Sequence, residues 1–122
     1  FCERKIIGGN LSVLYGLQGT PYSLNAIIDN CVEPPVLLIE DICERHYHID
    51  RMMNNLRLSG VLSRLSGVIV GQFTDCDDDP KMGCTLRETL QYYLDQYDYP
   101  VVWGAPYGHE DDNRPIMFSL NV

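Results

Sequence analysis

The chain has 122 residues, a formal net charge of -8 and 45% hydrophobic residues. This length predicts one domain, and the composition is that of a globular protein with a core. The acidic balance argues against nucleic acid or an anionic membrane as the main partner, because both bind basic surfaces. No apolar run approaches the roughly 20 residues of a membrane span, and no signal peptide is evident at the N-terminus.

The chain contains five cysteines, and no two of them form a Cys-x-x-Cys pair. Their wide spacing does not match a zinc or redox motif, so free thiols in a reducing compartment are the expected state. The sequence starts at Phe1 without an initiator methionine, and its last predicted strand runs to Val122. We therefore expect it to be a fragment or a processed product of a longer protein.

The N-terminal part predicts a short strand followed by a helix. Residues 6–7 end the strand, and the glycines at 8–9 should break it. Asn10 is placed to cap a helix that carries leucines on its inner face and stops at Gly19. Residues 20–35 have little pattern and are expected to form a loop.

The rest of the chain is arranged around residues 36–53. The apolar run 36–39 follows a pair of prolines and predicts a strand buried on both faces. Glu40 and Asp41 end this run, and apolar residues at i, i+3, i+4 and i+7 from Ile49 predict an amphipathic helix. Sites in open α/β sheets gather beyond the carboxyl ends of the strands, so Glu40 is the first candidate for a functional residue.

The second half continues the alternation of strands and helices. A capping box that begins at Thr85 opens a helix. Strand and helix alternating at this spacing predict right-handed βαβ units, hence an α/β domain with a mainly parallel sheet and flanking helices. The other predicted elements are a strand at 68–73, an aspartate-rich loop at 75–80, a strand at 101–103, a polar loop at 104–114 and a last strand at 116–122.

Glu40 and His109 form the pair that we single out for chemistry. Each follows a short apolar strand, and parallel strands present their carboxyl ends at one edge of the sheet, so the two side chains are expected to meet. A carboxylate that accepts a hydrogen bond from an imidazole N–H holds a general base for nucleophilic catalysis. The simpler alternatives are a solvated acid at Glu40 and a loop histidine bonded to the backbone at His109.

The attacking atom of such a site is missing from the sequence. No Gly-x-Ser-x-Gly elbow is present, so no serine occupies the strained turn that exposes a nucleophile. The chain supplies a base and an orienting acid, without the group that would attack. The serines are Ser12, Ser23, Ser59, Ser63, Ser66 and Ser119.

Metal binding is the weaker interpretation of the other polar clusters. The aspartate run at 75–79 lacks the glycine and distal glutamate of an EF-hand loop, so a solvated turn is favoured. His46 and His48 are two residues apart and cannot share a helix face, which favours surface or capping roles over metal ligation.

Several short motifs occur in one order along the whole chain. They are Gly8-Gly9-Asn10-Leu11-Ser12, Gly19-Thr20-Pro21-Tyr22, Leu38-Ile39-Glu40-Asp41, Ile49-Asp50-Arg51-Met52, Ser59-Gly60, Gly67-Val68-Ile69-Val70-Gly71, and Gly108-His109 with Asn113 and Pro115. In this order they resemble the C-terminal domain of the serine LD-carboxypeptidases, the muramoyltetrapeptide carboxypeptidase family.

The resemblance implies a swivelling β/β/α domain that follows an N-terminal domain, absent from this sequence, which carries the nucleophilic serine. It assigns Glu40 and His109 to a Ser-Glu-His triad. Asp41 and Glu44 are nearby acids, but Glu40 directly ends the apolar run and is preferred. Asn10 is implied to help line the substrate site, and a role as helix N-cap is compatible with this.

The implied activity is removal of the terminal D-alanine from a murein tetrapeptide in cytoplasmic peptidoglycan recycling, without metal or cofactor. These 122 residues alone are expected to be inactive. The alternatives are an immunity peptidase of the same family that cleaves a peptidyl-nucleotide antibiotic of the microcin C type, and a non-catalytic binding or assembly domain. The implied partners are the murein peptide and the N-terminal domain. A homodimer is compatible with the resemblance, although no pattern marks an interface.

Overall fold

A computed structural model describes residues 4–118 of the chain. Within them lies a four-stranded parallel sheet in which the strands follow their order in the chain. The strands are β1 (Ile6–Asn10), β2 (Val36–Ile42), β3 (Gly67–Thr74) and β4 (Val101–Val102). The helices are α1 (Leu11–Gly16), α2 (Leu24–Asp29), α3 (His46–Leu58) and α4 (Leu86–Leu94), with short 3-10 turns at Leu62–Arg64 and Pro80–Met82. The expected α/β class is confirmed.

The four helices pack on one side of the sheet, which we call the helix face. Because the strands advance in one direction and such crossovers are right-handed, each connecting helix falls on the same side. Leu37 and Ile39 of β2 and Val68 and Val70 of β3 point to this side. They share one buried cluster with the apolar residues of all four helices.

The opposite side, which we call the loop face, is covered by the segment that follows β4. Leu38 and Ile69 are buried there against Ala105, with Tyr107 and Ile116 partly buried around them. The backbone N–H of Ala105 donates to the carbonyl of Val70 at 3.1 Å, which ties this segment to β3. The loop that carries His109 therefore lies under the sheet on the side without helices.

The expectation that Gly8 and Gly9 break the first strand is wrong. β1 runs to Asn10, and the two glycines pair in register with Leu38 and Ile39 of β2. A Cβ on Gly8 would overlap the carbonyl group of Leu38. Glycine is needed here because the backbones of β1 and β2 approach closely. In the sequence, a glycine at such a close approach cannot be told from a glycine that ends a strand.

The segment 20–35, expected to be a loop, contains α2. Ser23 caps this helix by accepting a hydrogen bond from the backbone N–H of Ala26 at 3.2 Å. Leu24 and Ile28 are buried below it. The serine cap was a usable signal, but a helix of six residues is too short for its apolar period to stand out.

The other helices follow the expected signals. Asn10 caps α1, and the capping box of Thr85 and Glu88 opens α4. The apolar stripe of α3 is buried as its period predicts, at Ile49, Met52, Met53 and Leu56. The strand expected at 116–122 is not present over residues 116–118, and residues 119–122 lie outside the described part of the chain.

Candidate active site

Two consecutive carboxylates at the end of β2 point to opposite sides of the sheet. Successive side chains of a strand alternate between its faces, so Glu40 follows Leu38 to the loop face and Asp41 follows Ile39 to the helix face. Both residues are buried, with Asp41 only 1% exposed. Their partners differ accordingly.

Glu40 meets His109 on the loop face. The Oε2 atom of Glu40 lies 2.9 Å from Nδ1 of His109, although the two residues are 69 positions apart. An ionised carboxylate can only accept a hydrogen bond, so Nδ1 carries the proton and donates it. The expected meeting of these two side chains at the sheet edge is confirmed, and their catalytic role stays a prediction.

The second ring nitrogen of His109 is the chemically available atom. With the proton on Nδ1, Nε2 of the neutral ring holds a lone pair. Among residues 4–118 no side chain or backbone group hydrogen-bonds to this nitrogen. The side chain of His109 is 42% exposed, whereas that of Glu40 is 11% exposed. This is the arrangement of a base whose tautomer is held from the buried side.

The carboxylate of Asp41 is hydrogen-bonded to residues at the start of α1. Its Oδ2 atom accepts from the Ser12 hydroxyl at 2.6 Å and from the Ser12 backbone N–H at 2.9 Å. Its Oδ1 atom accepts from the side-chain amide of Asn10 at 3.1 Å and from the backbone N–H of Ile42 at 2.8 Å. Glu44, the other nearby acid, lies 2.7 Å from Nδ1 of His48. Of the three acids, Glu40 is the one that meets His109.

Asn10 is the N-cap of α1, as one of the two expectations for this residue states. Its side-chain oxygen accepts from the backbone N–H of Val13 at 3.1 Å, and its NH₂ group donates to Asp41. Asn10 also pairs in register with Glu40, which places it at the same end of the sheet. A role in substrate binding stays a prediction.

None of the serines in residues 4–118 is hydrogen-bonded to His109. Ser12 donates to Asp41, Ser23 caps α2, and the remaining hydroxyls donate to backbone carbonyls. These last serines are Ser59, Ser63 and Ser66, with carbonyl partners at Leu56, Gly60 and Pro34. Ser119 lies outside the described residues.

None of the cysteines in the described part of the chain is hydrogen-bonded to His109. The described cysteines, Cys31, Cys43, Cys76 and Cys84, are free thiols. Burial raises the pKa of the Cys76 thiol, which keeps it protonated and weakly nucleophilic at neutral pH.

His46 has a structural role, and of the surface and capping roles expected for it, the surface role is wrong. It is 2% exposed. The backbone N–H of Asp79 donates to its Nδ1 at 3.0 Å, so its Nε2 carries the proton toward the Thr89 hydroxyl at 2.7 Å. His46 thus ties the aspartate-rich loop to α4. Within residues 4–118 no group of three or more histidine, cysteine or acidic side chains is arranged to hold a metal ion.

Sequence reasoning missed two residues of β3 that shape the site. A Cβ on Gly71 would lie 2.5 Å from the carbonyl oxygen of Tyr107 and 3.3 Å from Cβ of Glu40. Gln72 is bonded to the loop that carries His109. A glycine inside a strand pattern marks a bulge or a close approach, and this was the available signal.

The geometry thus defines a half-exposed histidine that is hydrogen-bonded to a buried acid on an α/β domain. Residues 3–122 match the family model described as LD-carboxypeptidase C-terminal domain, and the chain belongs to this family. None of the helices within residues 4–118 has the length and apolar character needed to cross a membrane.

Three relatives place the chain within this family. It is 33% identical over 108 residues to a probable murein peptide carboxypeptidase of Bacillus subtilis, covering 88% of this chain and 32% of that protein. It is 28% identical over 109 residues to the microcin C7 self-immunity protein of Escherichia coli, covering 88% and 29%. The crystal structure of a muramoyltetrapeptide carboxypeptidase from Oxalobacter formigenes matches with a TM-score of 0.74 at 29% identity, covering 90% and 37%. The chain spans about a third of the length of the curated relatives it matches.

Proposed function

We propose that this chain is the C-terminal domain of a serine LD-carboxypeptidase that removes the terminal D-alanine from a murein tetrapeptide. The observation that carries the proposal is the 2.9 Å contact between Glu40 and Nδ1 of His109, which leaves Nε2 free. The names of the curated relatives, several of them carboxypeptidases, support the reaction class.

In the proposed mechanism, the nucleophilic serine belongs to an N-terminal domain outside these 122 residues. Its hydroxyl attacks the carbonyl carbon of the amide that joins the L-centre of the diamino acid to D-alanine, while Nε2 of His109 takes the hydroxyl proton. The same nitrogen then protonates the leaving amine. Water next attacks the carbonyl carbon of the acyl-enzyme while Nε2 takes one of its protons. Nε2 then returns this proton to the serine oxygen as the ester bond breaks and the product leaves with its new carboxylate.

Glu40 has the orienting role in each step. It holds the Nδ1–H of His109 and stabilises the imidazolium that forms when Nε2 is protonated. No metal or cofactor takes part in this proposal. Asn10, at the same end of the sheet, is the proposed contributor to substrate binding.

The test uses the full-length protein that contains this chain. Release of D-alanine from purified murein tetrapeptide is followed by chromatography and mass spectrometry. His109→Ala is expected to lower kcat by roughly 10³-fold or more, because the base is lost. His48→Ala is the matched control, since His48 also contacts a carboxylate, that of Glu44, at 2.7 Å. Equal activity of wild type and His109→Ala would rule out the proposed mechanism.

The 122-residue chain by itself is the second test of the domain arrangement. We propose that it releases no D-alanine, because a base without a nucleophile cannot form an acyl-enzyme. The proposed partners are the N-terminal domain and the murein peptide. A homodimer is a further expectation, which sedimentation of the full-length protein tests.

A second candidate function is cleavage of a peptidyl-nucleotide antibiotic, favoured by the similarity to the microcin C7 self-immunity protein. One solved structure of that protein holds aspartyl sulfamoyl adenosine. A comparison of kcat/KM for this compound and for murein tetrapeptide separates the two activities. Turnover of neither compound would favour a non-catalytic binding domain.

A cytoplasmic location is part of the proposal. Free thiols persist in reducing compartments, and Cys31, Cys43, Cys76 and Cys84 are unpaired with one another. Fractionation of cells that produce the full-length protein tests this location.

A further inference from the structure

We propose that Gln72 is a positioning residue that holds the loop bearing His109 in register with Glu40. This inference rests on the proposed function, because the position of the loop matters for catalysis only if His109 is the base. Gln72 reaches the backbone of the loop, so it acts through His109 and not on the substrate.

A bulge in β3 brings Gln72 to the loop face. Gly71 and Gln72 together lie opposite the single residue Glu40 of β2. Regular alternation from Val70, which points to the helix face, would also turn Gln72 to that face. The extra residue redirects Gln72, while Phe73 returns to the helix-face core. Bulges beside active sites commonly re-aim a side chain in this way.

Gln72 bonds to the loop on both sides of His109. Its side-chain NH₂ donates to the carbonyl of Asp112 at 2.7 Å, and its side-chain oxygen accepts from the backbone N–H of Glu110 at 3.2 Å. Its own backbone N–H donates to the carbonyl of Tyr107 at 2.8 Å. One residue of the sheet therefore holds the segment before the histidine and the segment after it.

The loop is closed on itself by its own hydrogen bonds, so we expect a shift of the segment that Gln72 holds after His109 to move His109 as well. The backbone N–H of Arg114 donates to the carbonyl of Pro106 at 2.8 Å, and that of Gly108 donates to the side chain of Asn113 at 3.3 Å. Gly108 has φ +145°, and a Cβ there would lie 3.0 Å from the side-chain oxygen of Gln72. The glycine before the histidine thus allows the loop to rest directly on Gln72.

Loss of the Gln72 side chain is expected to displace Nε2 of His109. It should therefore lower the rate of the chemical step and leave substrate binding nearly unchanged. A displacement of about 1 Å at a catalytic group costs on the order of 10²-fold in rate. For Gln72→Ala we expect kcat to fall about 10- to 100-fold, with KM changed by less than about twofold. A residue that only supports the fold would not produce this split between kcat and KM.

The experiment measures kcat and KM for D-alanine release by the full-length protein, well below the Tm of each variant. Gln72→Met keeps the length of the side chain and loses its hydrogen bonds, so it is expected to show the same loss as Gln72→Ala. Gln18→Ala is the control, because its side chain bonds to Asn55 at 3.0 Å and Ser59 at 3.1 Å, outside the His109 loop. Hydrogen exchange at the Glu110 amide should be faster in both Gln72 variants and unchanged in Gln18→Ala.

His109→Ala separates failure of this inference from failure of the proposed function. If His109→Ala is inactive and both Gln72 variants that fold keep the wild-type kcat, the positioning role is overturned and the proposed function stands. Full activity of Gln72→Met alone would also overturn it, because packing and not hydrogen bonding would then hold the loop. If His109→Ala is active, the proposed function fails and the positioning role fails with it.

Discussion

Glu40 and Asp41 are neighbours in the sequence, yet their surroundings differ completely. Asp41 is 1% exposed, and each of its two carboxylate oxygens accepts two hydrogen bonds. The donors are groups of Asn10 and Ser12 at the start of α1 and the backbone N–H of Ile42 at the end of β2. Glu40 is paired with the half-exposed ring of His109. A carboxylate with every acceptor position filled by its own fold supports structure, whereas one that holds an exposed base is suited to chemistry.

The same contrast separates the two faces of the sheet. The helix face is closed by four helices that share one apolar cluster. The loop face is covered by the irregular segment after β4, whose contact with the sheet depends on Gly71 and Gln72. Function commonly lies on loops that a rigid scaffold positions. The comparison predicts that substitutions on the helix face alter stability and those on the loop face alter activity.

Among the substitutions that compare the two acids and the two faces, Glu40→Gln has the largest expected effect on activity. The amide cannot hold the Nδ1–H tautomer as the carboxylate does, so kcat of the full-length protein should fall by about 10²- to 10³-fold, which is less than for His109→Ala because the base remains. Stability should change by about 1 kcal/mol or less, because glutamine keeps the volume of the side chain and can still form a hydrogen bond with the His109 ring. D-alanine release and urea unfolding measure the two quantities. A loss of stability with unchanged kcat would reverse the roles assigned to the two acids.

Asp41→Ala is expected to lower the free energy of unfolding by about 3 kcal/mol. The substitution leaves the backbone N–H groups of Ser12 and Ile42 without their buried acceptor, and each unsatisfied donor costs roughly 1–3 kcal/mol. Urea unfolding of the chain measures this as a lower midpoint at constant m value. Asp29→Ala is the control, since its exposed pair with Arg64 should contribute less than about 1 kcal/mol. Equal midpoints for the two variants would contradict a structural role for Asp41.

Gly71→Ala is expected to reduce activity because it displaces the loop that carries His109. Its Cβ would lie 2.5 Å from the Tyr107 carbonyl, so the loop must shift away from Glu40. We expect kcat to fall about 10- to 100-fold. Gly16→Ala at the end of α1 is the control, because a Cβ there meets no atom within 4 Å and alanine favours a helix. Full activity of Gly71→Ala would show that the loop tolerates displacement.

The smallest expected effect is a pH dependence of stability that arises on the helix face. Burial and the hydrogen bond to Asp50 at 2.7 Å raise the pKa of Tyr93 above its usual range. A tyrosine in the unfolded chain loses its proton at about pH 10, whereas folded Tyr93 keeps it. Its contribution to stability is therefore present below about pH 10 and is lost as the pH rises above that value.

Urea midpoints of wild type and Tyr93→Phe measure this dependence. At neutral pH the variant should be less stable by about 1 kcal/mol, because the hydrogen bond to Asp50 is lost. From about pH 10 to 11 the wild-type midpoint should fall more steeply than that of the variant, so the two curves converge. Parallel curves would mean that Tyr93 ionises alike in the folded and unfolded chain.

The sequence alone determined the elements whose signals are local. The apolar run before Glu40, the helical period from Ile49 and the capping box at Thr85 each depend on neighbours a few residues away, and all three structures form as expected. The meeting of Glu40 and His109 was also predictable. Parallel strands end at one edge of a sheet, so two residues that follow such strands are brought together without knowledge of the packing.

Only the tertiary structure decided which contacts hold Glu40 and His109 in position. Three features join segments about 30 to 40 residues apart in the sequence. They are the bulge at Gly71, the hydrogen bonds from Gln72 to the His109 loop, and the hydrogen bonds from the start of α1 to Asp41. Such contacts depend on how closely two backbones approach and on which face a strand turns a side chain to. The alternation of apolar and polar residues along a strand does not show whether the strand contains an extra, bulged residue. One extra residue turns every later side chain to the opposite face from the one that regular alternation predicts.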